Sequence, residues 1–382
     1  MDALTTQIHF LASTADEAGR KQIIEQLRDL SFSLEQPADV VQRLAHRHLE
    51  IAMVRVGIDL RIFELLAEKE GEVGLDELVR ETGAGRGLVA RILRYLLSMG
   101  LIAEFGVERF AATNVTKALA GRGAQAMIYH NFNNLGPIFQ ALPEFLAKHK
   151  YQDVTELTNT PFQVAFNTPD PVFVYFSKHP EKLVHFNEYM AARRQGMDTW
   201  LSVFPSELVE NAKSHKEDAL FVDMGGNIGH QCADFKARYP EVKGRVVLQD
   251  LPYAIDMALK TEGVENTVHD IFTPQTVKGA RFYYLRAVLH DWPDAKCQEI
   301  LRNIIPAMGE DSRILLDEMV LPETKVHWEA AQVDITMMVS TAACERTRNE
   351  WEKLLESVGL VVEGVWTYTP SVYESVMLVK KK

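Results

Sequence analysis

The sharpest chemical signal in the chain is His290-Asp291-Trp292, which follows the apolar run Phe282 to Leu289 and precedes Pro293-Asp294. That placement puts an imidazole where a strand turns into a helix. Histidine is the side chain best suited to accept a proton near neutral pH, its ordinary pKa being about 6.5. Two carboxylates, Glu318 near the end of the next strand and Glu345 within Cys344-Glu345-Arg346-Thr347, are candidates to flank the ring. A carboxylate beside Nδ1 fixes the tautomer and stabilises the imidazolium that forms. Taken alone, a histidine here is also open to a structural reading.

A second constellation lies in ALFVDMGGNIGHQCADFKARYPEVKGRVVLQD, Ala219 to Asp250. An apolar run ends in Asp223, Gly225, Gly226 and Gly229 make a tight turn, a helical stretch leads to Pro240, and a second apolar run ends in Asp250. Strand, glycine turn, helix and an acid-terminated strand make a nucleotide-binding βαβ unit. The glycines let the backbone approach a ligand, and the acid accepts hydrogen bonds from ribose hydroxyls. The dinucleotide fingerprint GxGxxG is not met, because Asn227 and His230 stand where its later glycines fall. An adenosine ligand without a pyrophosphate is expected.

These residues must be held by a sheet. Apolar runs recur at 219–224, 245–249, 281–285 and 313–316, with a weaker one near 266–269 and helical stretches such as Asp294 to Ile305 between them. That alternation predicts an α/β domain with a parallel sheet. The segments Leu360 to Thr367 and Val372 to Val379 lie close together around Pro370 and predict a final antiparallel pair, so the sheet is mixed. In such sheets ligands bind at the carboxyl ends of the strands. Those ends carry the glycine turn, Asp250, Asp270, the segment Arg286 to Trp292, and Glu318, with Asp250, Asp270 and His290 spaced 20 and 20 residues apart.

Ahead of this domain the chain is mostly helical. Residues 1 to about 40 read as helix closed by Pro37, and Ala38 to about Leu66 is apolar nearly all round, as in a helix buried on several sides or in an oligomer interface. GLDELVRETG and GRGLVARILRYLLSMG read as helices ending at Gly83 and Gly100, and LIAEFGVERFAAT as a hairpin turning at Gly106. That is a winged-helix layout, which raises DNA binding through Arg86, Arg91 and Arg94. The acids around them, including Glu70, Glu72, Asp76, Glu77, Glu81, Glu104 and Glu108, favour a structural or dimerising role. Residues 115 to about 205 are helical and rich in aromatics, suited to a core or to a cavity for a flat apolar substrate. His130, Asn131, Asn133 and Asn134 are the polar exceptions, either a helix-end cluster or part of that cavity. A charged linker is expected over 207–218.

Composition sets the outer bounds. The 382 residues allow more than one domain, and 47% hydrophobic with 25% charged residues is ordinary for a globular protein. A net charge of −12 opposes nucleic acid or an anionic membrane as principal partner. No apolar run approaches the roughly 18 residues of a membrane span. Acids near the N-terminus and three scattered cysteines (Cys232, Cys297, Cys344) imply cytoplasmic residence, no disulfide framework and no metal site.

Taken in order, DMGGNIGH, LQDLP, HDIF, LRAVLHDWPD, LLDEMVLPE and ERTRNEWEKLLESVGL resemble the class I S-adenosylmethionine-dependent O-methyltransferases of the plant caffeate and fungal polyketide type. The resemblance spans nearly the whole chain. It implies a winged-helix dimerisation domain over 1–120, a helical substrate segment over 121–205 and a Rossmann-like methyltransferase domain over 206–382. By the same resemblance Gly225, Gly226 and Gly229 cradle the methionine part of the cofactor, and Asp250 with Leu251 holds the ribose. Asp270 and Phe272 take the adenine end, with Arg286 and Trp292 beside the cofactor. His290 is the general base bracketed by Glu318 and Glu345, while Phe186, Met190 and Asp334 fall in segments that line the acceptor cavity; His130 and Asp291 are candidate acceptor contacts from the residues themselves. A homodimer acting on a small aromatic or polyketide-like molecule follows.

The implied reaction moves a methyl group to a phenolic or enolic hydroxyl. Two departures from the family pattern bear on it: Asn227 replaces the third glycine of GGG, and Ala342-Ala343-Cys344 replaces Gly-Gly-Lys before Glu345. Some fungal members of this fold no longer transfer methyl groups and use the cofactor as a fixed charge for pericyclic reactions or dehydration. In those members the base position carries arginine or lysine, whereas this chain keeps His290, which favours methyl transfer.

Overall fold

The computed structural model describes residues 2–193, 198–212, 217–369 and 372–382. The chain forms two compact units, one from Met1–Pro143 with Val164–Gly196 and the other from Glu144–Gln163 with Met197–Lys382.

In the first unit, helices Asp2–Thr14, Glu17–Leu34 and Pro37–Ala45 open the chain. Pro37 begins a helix instead of closing one, because at the first helical position its missing N–H costs nothing and its fixed φ suits the helix. The apolar stretch after it divides: Val54, Ile58, Ile62, Phe63 and Leu66 are buried, whereas Val41, Leu44 and Leu49 are exposed. Those buried residues join Leu75, Leu78, Val89, Ile92, Leu93 and Leu96 in one core. It is capped by a three-stranded antiparallel sheet of β1 (Val73–Gly74), β2 (Ile102–Gly106) and β3 (Arg109–Ala112), ordered β1-β3-β2. Helix Leu75–Thr82 ends at Gly83 in the left-handed conformation, as expected for a glycine after a helix. Arg86 is tied to Asp76 at 3.0 Å and to Glu108 at 2.6 Å.

The second unit is built on β4 (Ala219–Met224), β5 (Arg245–Asp250), β6 (Val264–Val268), β7 (Phe282–Arg286), β8 (Arg313–Leu321), β9 (Arg346–Thr347), β10 (Leu360–Thr369) and β11 (Glu374–Lys381). Among the described residues the order is β10-β11-β8-β7-β4-β5-β6, with β9 pairing β8 off this path. The pairs from β6 to β8 are parallel, and β11 joins β8 antiparallel, as does β10 with β11. The central strands β4, β5, β7 and β8 are buried on both faces because helices cover both. Val222, Leu285, Ile314 and Leu316 pack with Leu301 and Trp351 on one face, and Phe221, Phe282, Tyr284 and Leu315 with Trp200 and Phe235 on the other.

Two local expectations change. β8 runs on past the apolar stretch to Leu321, so Asp317 and Glu318 lie within the strand. The linker expected over 207–218 begins as helix Ser206–Glu210, with Val209 fully buried. Its residues 213–216, like Pro370 between the last strands, lie outside the described residues. No described helix is long and apolar enough to cross a membrane.

Candidate active site

At the carboxyl end of β4 the backbone becomes left-handed at Gly225 (φ +71°) and again at Asn227 (φ +54°) and Gly229 (φ +90°). Asparagine is among the few side chains that tolerate this region, so the exchange of glycine for Asn227 leaves the turn intact. Gly226 is obligatory for a different reason. A Cβ there would stand 2.4 Å from the Asp223 carboxylate and 2.6 Å from Leu248 Cδ1. The turn is locked to the next strand, since Asn227 donates its backbone N–H to Asp250 Oδ2 at 2.7 Å and Leu251 donates to Oδ1 at 2.7 Å. Burial raises the Asp250 pKa, and these two N–H bonds pull it back. At the next strand end Asp270 Oδ1 accepts the Phe272 N–H at 2.9 Å. Phe272 meets Trp292 edge to face, with ring centroids 4.8 Å apart.

The turn after β7 carries the histidine. Ala287 is left-handed (φ +48°), an uncommon state for alanine that marks stored strain. Its N–H donates to the Asp317 carbonyl at 3.0 Å. Glu318 Oε1 then accepts the backbone N–H groups of Val288 at 3.0 Å and Leu289 at 2.8 Å. Glu345 is the carboxylate on the ring, with Oε1 2.7 Å from His290 Nδ1. Asp291 Oδ1 lies 3.7 Å from Nε2. Burial alone would depress the His290 pKa, but Asp291 and Glu345 overcome it and lift the group to about 10. Burial pushes Glu318 up to about 7, with His290 opposing.

The segment bearing Glu345 is fixed from both sides. Asp334 Oδ1 accepts the Glu345 N–H at 2.9 Å. Arg346, buried beneath, donates to Asp294 Oδ1 at 2.7 Å, to the Trp292 carbonyl at 3.1 Å and to the Leu289 carbonyl at 3.4 Å. The Glu-Arg pair thus holds the histidine turn by its ring and by its backbone. Ala342, where the family pattern has glycine, caps helix Trp328–Thr341 in the left-handed region (φ +55°). Arg286 sits 3.6 Å from Asp317 Oδ2, and that carboxylate also accepts Tyr284 at 2.5 Å and Tyr368 at 2.6 Å.

The remaining candidates lie in the first unit. His130 opens a π-helical turn, His130–Leu135, between helices Arg122–Tyr129 and Gly136–Lys148. Its ring is buried among Phe176, Phe186 and Tyr189 at centroid distances of 6.4, 5.4 and 5.8 Å. Met190 follows Phe186 by one turn on helix Pro180–Arg193 and is half-buried. The expected acceptor residues therefore fall into two sets: His130 with Phe186 and Met190 here, and Asp291 with Asp334 beside His290 and Glu345.

Residues 147–361 match the O-methyltransferase domain and residues 42–122 the O-methyltransferase dimerisation domain. The chain belongs to the S-adenosylmethionine-dependent O-methyltransferase family. Among characterised relatives, this methyltransferase is 38% identical to O-methyltransferase ucdC of Aspergillus ustus over 100% of both chains. It is 38% identical to demethylsterigmatocystin 6-O-methyltransferase of Aspergillus parasiticus, over 95% of this chain and 93% of that one. The solved structure of LepI in complex with SAM is similar at 37% identity and a TM-score of 0.93, covering 100% of this chain and 98% of that one. A structure described as a pericyclic reaction enzyme gives 37% identity and 0.93, over 100% and 99%.

The donor set of this methyltransferase fits its cofactor. Asp250 ends β5, Asp270 and Asp291 follow β6 and β7, and Oε2 of Glu318 within β8 and of Glu345 just before β9 are buried without a hydrogen-bond partner. An anionic rim of this kind suits a cationic sulfonium. Sequence reasoning reaches the glycine turn, the acids and His290. It misses Asp317, Arg346 and the left-handed Ala287, whose roles exist only through partners far along the chain.

Proposed function

We propose that this S-adenosylmethionine-dependent O-methyltransferase acts on a phenolic or enolic hydroxyl of a small secondary metabolite, with His290 as general base. The observation that carries the reading is the 2.7 Å contact of Glu345 Oε1 with His290 Nδ1. It holds the proton on Nδ1 and leaves Nε2 to take the hydroxyl proton. S-adenosylmethionine, when bound, supplies an electrophilic methyl group on a positively charged sulfur. Gly225, Gly226, Gly229, Asp250 and Leu251 would hold its methionine and ribose parts, and Asp270, Phe272, Arg286 and Trp292 the remainder. Glu345 stabilises the imidazolium as Nε2 gains its proton, and Glu318 keeps the turn from shifting through the Val288 and Leu289 amides. The rings around His130 support a flat, largely apolar acceptor. The dimerisation domain and the absence of disulfides among the three cysteines support a cytoplasmic homodimer.

A second reading is a pericyclase or dehydratase that keeps the cofactor unconsumed, favoured by the similarity to the pericyclic reaction enzyme. Incubation with methyl-labelled cofactor separates the two by mass. Methyl transfer gives a labelled product and S-adenosylhomocysteine. A product of unchanged mass, or lighter by one water, with the cofactor intact, selects the second.

A further inference from the structure

Gln249, in β5, and Gln275, in the segment between β6 and β7, are 0% and 1% exposed and face each other as a reciprocal amide pair. Gln275 Nε2 donates to Gln249 Oε1 at 2.7 Å, and Gln249 Nε2 donates to Gln275 Oε1 at 3.1 Å. A third group decides which end of each amide carries the oxygen. The Val277 backbone N–H donates to Gln275 Oε1 at 2.8 Å, and turning that amide over would set two donors against each other. The pair reaches three segments of the sheet rim. Gln275 Nε2 also meets Met224 Sδ, at the end of β4, at 3.2 Å. The Gln249 backbone carbonyl accepts the N–H groups of Gly225 at 2.8 Å and Gly226 at 3.3 Å. Gln275 lies in the same segment as Asp270 and Phe272, and its own backbone N–H donates to the Asn303 carbonyl at 3.0 Å.

We propose that Gln249 and Gln275 are positioning residues that hold the segment bearing Asp270 and Phe272 in register with the glycine turn, and that this register gives the cofactor site its preference for adenine. The proposal rests on the reading that Asp270 and Phe272 take the adenine end. Buried amides suit this task better than apolar side chains. An apolar contact slides at little cost, whereas displacing this pair leaves two amides unpaired in a dry core. Gln249 serves both ends of the ligand, holding the turn with its carbonyl and the purine segment with its side chain. Asp270 Oδ1 is engaged by the Phe272 N–H, which leaves Oδ2 to accept from the 6-amino group of adenine. A carboxylate only accepts, so the 6-oxo group of hypoxanthine is refused as long as the segment is held in place.

The test is calorimetric titration of the full chain with S-adenosylhomocysteine and with S-inosylhomocysteine, which differs at the purine 6-position, alongside urea unfolding. The wild type is expected to bind the adenosyl compound more tightly by about tenfold or more. In Gln249→Met, Gln275→Met and the double substitution that ratio should narrow by about three- to tenfold, through weaker adenosyl binding. The double substitution removes both amides and leaves neither unpaired, so it should unfold closer to the wild-type midpoint than either single variant. It keeps the test decisive if a single variant does not fold. A pair with a purely structural role would shift the unfolding midpoints and leave the ratio of the folded double variant at its wild-type value. That outcome, or a wild type without preference between the two compounds, overturns the proposal. Asp270→Asn tests the underlying reading separately. If it keeps the wild-type ratio while the glutamine variants lose it, Asp270 does not read the purine and the positioning role is upheld.

Discussion

Glu345 and Asp291 both favour the protonated imidazole of His290, yet a general base must be neutral before it accepts a proton. The sign follows directly. Folded, the ring's pKa lies above its ordinary 6.5, so the competent neutral form accumulates only as pH rises toward about 10. A bound sulfonium opposes this by like charge and brings the value down. Turnover should therefore rise with pH across the neutral range. In Glu345→Gln the carboxylate is gone, and the rising limb should move to lower pH by about one to three units. The plateau rate should fall by about tenfold or more, since the imidazolium formed on proton transfer is less stabilised. A pH–rate profile of the two proteins measures both effects, and an unmoved limb would separate Glu345 from the ring's ionisation.

The glycine turn and the cap of helix Trp328–Thr341 each carry strain of a kind that substitution can read. Asp223 is fully buried under the turn with Cys232 Sγ 3.6 Å from Oδ2, and burial pushes its pKa up to about 7. Unfolded, the group ionises near about 4, so the folded state is penalised increasingly as pH climbs from about 4 to 7 and constantly above. Asp223→Asn should thus be more stabilising at pH 8 than at pH 5, by on the order of 2 kcal/mol, as read from urea unfolding at both values. Ala342→Gly should raise the unfolding midpoint, because glycine relieves a left-handed alanine worth about 1 kcal/mol. The elements themselves were legible where apolar period and glycine agree: β4 and its turn, β5 with Asp250, and the final antiparallel pair. β8 was read short because Asp317 and Glu318 interrupt its apolar pattern, and their partners, Tyr284, Tyr368 and the Val288 and Leu289 amides, belong to other strands and turns.

For the whole molecule, the helices that open the chain leave Phe10 65%, Leu34 72%, Val41 65% and Leu44 58% exposed. Such side chains gain about 1.5–3 kcal/mol each when buried, and the dimerisation domain, residues 42–122, begins within the third of these helices and includes Leu44. Sedimentation equilibrium should give a mass near twice 43.2 kDa, and a monomer at micromolar concentration would contradict the homodimer. The central claim, proton transfer to His290 Nε2, is tested most directly by the turnover of His290→Gln alongside its cofactor affinity by calorimetry, using the acceptor identified by label transfer. The expected result is a loss of turnover of about 10²–10⁴-fold with S-adenosylmethionine affinity unchanged. Turnover retained at the wild-type rate with the cofactor bound as tightly would contradict it.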